Sequence, residues 1–222
     1  MAKVLTVNLA HPRPNPDKGL LLTGIDKRPT AEPVEVRAPG PKQGGLGSGL
    51  VGDVLGDTDN HGGESQAVYA YAREDLDDWA RTLGRDLSNG QFGENLTTSG
   101  VDVTGALIGE RWQIGDEVVL EVAVPRIPCR TFAGWLAEHQ WIKTFTKAAI
   151  PGAYLRVQTP GKVRAGDRLT VLDRPEHDVT IGLVFRALTL EPELLPQLLV
   201  ADALPEETKE RARRRTGFQL DD

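Results

Sequence analysis

Apolar and polar positions follow two different rhythms along this chain. Up to about residue 175, short apolar runs rich in branched residues alternate with glycine and proline punctuation, the pattern of strands and turns. Val4-Leu5-Thr6-Val7-Asn8-Leu9 and Val34-Glu35-Val36 read as strands. Val118-Val119-Leu120-Glu121-Val122-Ala123-Val124 reads as a longer one, ending at Pro125, which cannot donate to a sheet ladder. Tyr154–Val157 and Arg168–Leu172 complete the set, and Gly115-Asp116 and Gly166-Asp167 suit tight turns just before strands. Two helices are expected among them. Arg73–Leu83 places Leu76, Trp79, Ala80 and Leu83 on one stripe, and Thr131–Thr146 offers Phe132, Trp135, Leu136 and Trp141 for packing.

After Pro175 the rhythm turns helical. DVTIGLVFRALT, EPELLPQLLVADAL and PEETKERARRR predict three short helices, with Asp178 and Pro205 as starting residues. The expected architecture is therefore mainly β with α: a β domain over residues 1–175 and an α-helical appendage over 176–222. The basic run from Arg211 to Arg215 reads as a solvated helix end whose charge suits the helix dipole, or as a docking surface.

Composition narrows the function classes. The 222 residues suffice for a sizeable core. A formal charge of −6 argues against a general nucleic-acid binder. No apolar run approaches the roughly 20 residues of a membrane span, and Met1–Pro14 lacks the pattern of a signal peptide. The single cysteine makes neither an internal disulfide nor a four-thiolate cluster, so a reducing cytoplasm is the expected compartment.

Three short stretches carry candidate chemistry. In the first, His61-Gly62-Gly63 follows Gly56-Asp57-Thr58-Asp59-Asn60, and glycines beside a histidine let backbone approach a ligand closely. A calcium loop does not fit, because His61 takes the third ligand position and Val68 the twelfth. A zinc site lacks a second ligand at suitable spacing. In the second, Phe92-Gly93-Glu94-Asn95-Leu96, the Asn95 amide both donates and accepts, which suits a heterocycle edge; a polar turn is the plainer reading. The third is Val124-Pro125-Arg126-Ile127-Pro128-Cys129-Arg130. Arg126 and Arg130 favour thiolate over thiol at Cys129, and thiolates are nucleophiles and soft-metal ligands. A buried inert cysteine and a Cys–His hydrolase pair, with His61 or His139, stay open.

The ordered set HGG, FGENL and P-R-x-P-C resembles the MOSC domain family, and within it the stand-alone YiiM-like branch. Gly49-Leu50-Val51-Gly52-Asp53, Gly115-Asp116, Pro160-Gly161-Lys162-Val163 and the C-terminal helices extend the resemblance over nearly the whole chain. It implies a MOSC β-barrel-like domain followed by a three-helix appendage. It also implies a pyranopterin molybdenum cofactor with Cys129 as the metal ligand. Lys27, Arg126, Arg130 and Arg156 are then candidate anchors for the cofactor's phosphate. His61, Asn95, Gly62 and Gly63 would line the pocket. The implied reaction reduces N-hydroxylated compounds of the hydroxylaminopurine type to amines, with His61 as an acid. A sulfur carrier using a Cys129 persulfide and a non-catalytic cofactor-binding module are the alternatives. No dinucleotide fingerprint of the G-x-G-x-x-G kind opens a helix here, so electrons are expected from an external flavin or iron–sulfur reductase. The sequence leaves a homodimer open.

Overall fold

The computed structural model describes residues 1–17, 21–58, 61–218 and 220. In chain order the strands are β1 (Lys3–Ala10), β2 (Arg13–Pro14), β3 (Leu22–Thr23), β4 (Lys27–Thr30), β5 (Val34–Val36) and β6 (Val68–Ala72). They continue as β7 (Leu96–Ser99), β8 (Arg111–Ile114), β9 (Val118–Pro125), β10 (Ala153–Thr159), β11 (Gly161–Val163) and β12 (Leu169–Asp173). The helices are α1 (Arg73–Leu83), α2 (Arg130–Leu136), α3 (Trp141–Ala148), α4 (Ile181–Thr189) and α5 (Glu206–Arg214).

Eight strands form one sheet in the order β12-β8-β9-β10-β6-β7-β1-β4. Its described pairings are antiparallel except β6 with β7. The sheet curls until the start of β12 reaches the start of β1: Val4 donates its amide to Asp167 and Leu169 donates to Ala2. This contact is one isolated bridge, Lys3 with Arg168, so the curl is barrel-like without closing into a continuous ladder. Strand β6, Val-Tyr-Ala-Tyr-Ala, is buried at every position. It has no polar face, so the period of two that marks half-buried strands is missing from its sequence.

One apolar core runs between the sheet and the C-terminal helices. Ile181, Val184, Leu188, Leu195 and Leu198 lie in the same buried cluster as Trp112, Leu120 and Val122. The expected three C-terminal helices become two α-helices separated by a 3₁₀ segment, Pro192–Val200. Pro196 inside that segment has no amide to give and blocks a continuous α ladder. Among the described residues no helix is long and apolar enough to cross a membrane.

A second cluster is aromatic and lies beside the candidate site. Phe92, Phe132, Trp141, Phe145 and Trp79 pack with ring centroids 4.9 to 6.2 Å apart, mostly edge to face. The segment expected as one helix, Thr131–Thr146, is broken to build it. Helix α2 ends at Ala137, in the left-handed region at φ 56, and α3 begins after Gln140 at φ 52. Arg85 fixes the break by donating to the Leu136 carbonyl at 2.8 Å and pairing with Glu138 at 3.0 Å. The turn brings Phe132 and Trp141 to 5.5 Å, which one straight helix from 131 to 146 would not do, because residues nine apart lie half a helical turn off one face.

Ala137 is a C-cap that glycine occupies without steric cost. Ala137→Gly is expected to raise unfolding free energy by about 0.5–1 kcal/mol. Urea denaturation of both proteins checks this; an unchanged or lower midpoint counts against the strain at φ 56.

Candidate functional site

Two buried carboxylates build the walls before any reactive group is placed. The Asp53 side chain has no exposed surface and takes both of its short bonds from Lys27 Nζ, at 2.6 and 2.7 Å. Ser48 Oγ donates to it at 2.8 Å, Asn95 Nδ2 at 2.9 Å and the Ala10 amide at 2.9 Å. Burial pushes its acidity toward the neutral form, but the Lys27 charge and these donors hold its carboxyl below the usual range. The network ties β1, β4 and the loop at 48–53 to the residue just before β7. Asn95 also accepts from the Tyr69 amide at 3.1 Å, so both ends of its side chain are engaged within the protein.

Glu94 does the same for the neighbouring turn. It is fully buried and accepts from Gly90 N at 2.5 Å, Phe92 N at 3.0 Å and Thr97 Oγ1 at 2.8 Å. Burial raises its pKa, and these donors offset part of the rise. The turn it holds presents the Phe92 carbonyl to the Arg126 guanidinium. Gly90 and Gly93 adopt φ 86 and 76, and a Cβ on Gly90 would meet the Lys27 carbonyl oxygen at 2.3 Å.

Between these walls lies a small cavity of about 90 Å³. Cys129, His61, Arg126, Tyr69, Tyr154, Lys27, Asn95, Gly62 and Gly93 are among its lining residues. Pro125 ends β9 and Cys129 caps α2 in an extended conformation, which leaves the thiol half-buried at the cavity. Burial alone pushes a thiol's pKa up. A hydrogen bond with His61 and the nearby Arg126 charge more than reverse that and hold Cys129 at about 7. Arg126 is 5% exposed, with its guanidinium carbon 3.7 Å from the Phe132 ring centroid and 5.3 Å from that of Tyr69. Among the described residues it makes no ion pair with a carboxylate. Tyr69 gives its hydroxyl proton to the Pro151 carbonyl at 2.8 Å, and burial pushes both the Tyr69 and Tyr154 phenols up, so both stay neutral.

The expected site residues therefore divide. Cys129, His61, Arg126, Asn95, Gly62 and Lys27 share one cavity wall. Lys27 spends two of its three donors on Asp53. Arg130 is exposed and pairs with Asp17 at 2.9 Å. Arg156 lies on β10, pairs with Glu121 and reaches the Ala203 carbonyl at 3.5 Å; it does not line the cavity. His139 sits exposed in the break between α2 and α3, so the thiol's histidine partner is His61. The close approach that Gly62 and Gly63 permit is to protein. A Cβ on Gly62 would meet Leu55 Cδ1 at 2.8 Å, and one on Gly63 the Lys42 amide at 2.9 Å. Asp59, in the stretch before His61, lies outside the described residues. Asp53 and Glu94 stand inside motifs quoted for their resemblance, yet nothing in their spacing marks them as buried.

Among the described residues no group of three or more His, Cys, Asp or Glu side chains is placed to hold a metal ion. The donor offered at Cys129 is one soft sulfur, a type that suits a soft metal centre.

Removing one partner of the Asp53–Lys27 pair leaves a buried charge. Asp53→Ala is expected to cost about 3–5 kcal/mol, and Asp53→Leu with Lys27→Met less than that single change. Urea unfolding measures both; equal losses would show that the pair's charge is not the issue. The folded pKa of Asp53 is lowered, so its contribution is fully present above the unfolded carboxylate value. It is lost as pH falls through the lower folded one.

Comparison with known proteins assigns the family. The sequence profile of the MOSC domain matches residues 57–170. The Bacillus subtilis protein YflK is 33% identical over 184 residues, covering 82% of this chain and 79% of its own length. A Gibberella moniliformis protein named as a reductase is 30% identical over 220 residues; the match takes in 85% of this chain but only 39% of that protein. The crystal structure of YiiM from Geobacillus stearothermophilus superposes with a TM-score of 0.76 at 25% identity, over 97% of this chain and 99% of that one. Its fold, the matching profile and the thiol pocket at the end of β9 agree, and this chain belongs to the MOSC domain family.

Proposed function

We propose that this chain is a reductase of N-hydroxylated compounds that uses a pyranopterin molybdenum cofactor held at the Cys129 pocket. The observation that carries the reading is the half-buried thiol held at about 7 beside His61 and a guanidinium without a carboxylate partner. The reductase-named relative supports the reaction class. The donor set fits the cofactor: one soft thiolate for a metal that brings its other sulfur ligands, and one cation for an anionic group. The chemistry the cofactor supplies when bound is two-electron exchange at an oxygen-accepting metal.

The chain's own residues do the rest. Cys129 offers its sulfur as the single protein ligand. Arg126, braced by the Phe92 carbonyl and the Phe132 ring, places fixed positive charge next to that sulfur. Tyr69 and Tyr154 form a neutral, mostly apolar wall at 4.9 Å between ring centroids, suited to a flat heteroaromatic substrate. His61, which lines the same cavity, would deliver a proton to the departing oxygen. The reaction balances as N–OH plus two electrons and two protons giving N–H and water. Both electrons would come from an external flavin or iron–sulfur reductase.

The test is to express the chain in a host that makes the cofactor, measure molybdenum and pterin, and assay reduction of a hydroxylaminopurine with dithionite. Cys129→Ser is expected to abolish turnover and lower bound metal while leaving the fold intact. Full activity with metal retained in that variant would sink the reading. His61→Ala is expected to reduce turnover about 100-fold. In the cofactor-free chain the same change is expected to move the midpoint of Cys129 alkylation upward from about pH 7, because the hydrogen bond that stabilises the thiolate is gone. An unmoved midpoint contradicts the proposed His61 contact.

A further inference from the structure

The aromatic cluster does more than fill space, because it links the thiol pocket to one particular groove. Cys129 packs against the cluster, and the Arg126 guanidinium carbon lies 3.7 Å from the Phe132 ring centroid. Phe132 is 5.5 Å from Trp141, and Trp141 is 4.9 Å from Trp79. Trp79 is 5% exposed and forms part of the floor of a groove of about 570 Å³ between α1 and α3. Three rings in sequence thus join the pocket to the surface. Aromatic rings in contact provide accessible orbitals and a rigid, dry path, which is what electron transfer through protein requires.

The rim of the groove is selectively charged. Lys143 and Lys147, exposed and one turn apart on α3, stand on it. Neither makes an ion pair among the described residues. The acidic residue on the rim, Asp78, is neutralised by Arg81. In a chain of net charge −6, this is a local positive patch at the outer end of the ring path. The basic end of α5 is less available. Arg213 pairs with Glu206 and Glu210, Arg214 pairs with Glu210 at 2.6 Å, and Arg211 stacks on Phe218 at 4.1 Å.

We propose that the α1/α3 groove is the electron-entry surface, and that its partner is a small acidic iron–sulfur protein of the [2Fe–2S] ferredoxin type. The proposal rests on the reductase reading above. Such a donor gives one electron per encounter, so two reduced clusters are oxidised for each N–OH converted, with two protons, to N–H and water. Its acidic face meets Lys143 and Lys147. Its cluster, held by cysteines just beneath a surface loop, comes to rest over Trp79.

The test uses the full chain carrying Lys143→Glu and Lys147→Glu together, both surface positions outside the pocket. Calorimetric titration with a [2Fe–2S] ferredoxin at low salt is expected to show binding by the parent chain that weakens as salt is added. The double variant is expected to bind at least about tenfold more weakly, and Arg211→Glu with Arg215→Glu to bind like the parent. In cofactor-loaded protein, ferredoxin-driven turnover should fall with the binding while dithionite-driven turnover stays unchanged. Equal binding by parent and double variant, or no binding by the parent, overturns the docking site. Binding of a flavodoxin and not of the ferredoxin overturns the choice of donor. If loaded parent protein shows no dithionite-driven turnover, the reductase reading fails, and titration of the cofactor-free chain still decides where the ferredoxin docks.

Discussion

Asp53 is a carboxylate with no exposed surface, and the candidate site is assembled around it. Burying a charge costs several kcal/mol unless it is paired and every lone pair is used. Here the demand is met only when Lys27 from β4, Ser48 from the following loop, Asn95 before β7 and the last amide of β1 all converge. The penalty for leaving any one donor out is what fixes the relative position of four distant segments. Glu94 repeats the device at its neighbour, with donors from Gly90, Phe92 and Thr97. The Phe92 carbonyl that this turn exposes braces Arg126, and Arg126 in turn helps set the charge state of Cys129. The chemistry of the thiol therefore depends on carboxylates that do not touch it.

The sequence made the reactive groups legible and left their support hidden. Cys129 between two prolines and two arginines, and His61 before two glycines, are unusual local compositions, and the structure places both side chains in one cavity. Arg126 and Arg130 look equivalent from sequence. The difference is direction: Arg126 lies in the extended stretch that turns inward onto Phe132, while Arg130 is the first helical residue and faces Asp17. Arg156 was a fair candidate by charge, but strand register sets it opposite Glu121 on β9. Asp53 escaped notice because a Gly-Asp pair is most often a turn, and burial of its carboxylate depends on partners up to 43 residues away.

The fold was readable where the period was clean. Helix α1 spans the predicted Arg73–Leu83, and Gly84 ends it at φ 65. Strands β1, β9, β10 and β12 follow the branched apolar runs. Strand β6 carried no alternation because both of its faces are covered. The break between α2 and α3 left no glycine or proline signal at residues 137 to 140; tertiary packing of Phe132, Trp141 and Arg85 overrides the continuous helical pattern there.

The charges inside the cavity also weigh between chemistries. Lys27 and Asp53 cancel each other, and the two tyrosines stay neutral. Arg126, Cys129, His61 and Asp57 are the other ionisable groups that line the cavity. In a Cys–His hydrolase the thiolate would become a neutral thioester during turnover, which removes one negative charge from beside the buried guanidinium. A thiolate that held a metal within an anionic complex would keep negative charge beside Arg126. A buried cation is stable only while such a charge or dense hydrogen bonding remains next to it. The ring cage of Phe132 and Tyr69 offsets part of that need but cannot replace it. On the reading proposed here, a resident anionic ligand would meet that need throughout the cycle, whereas a covalent intermediate would meet it only part of the time.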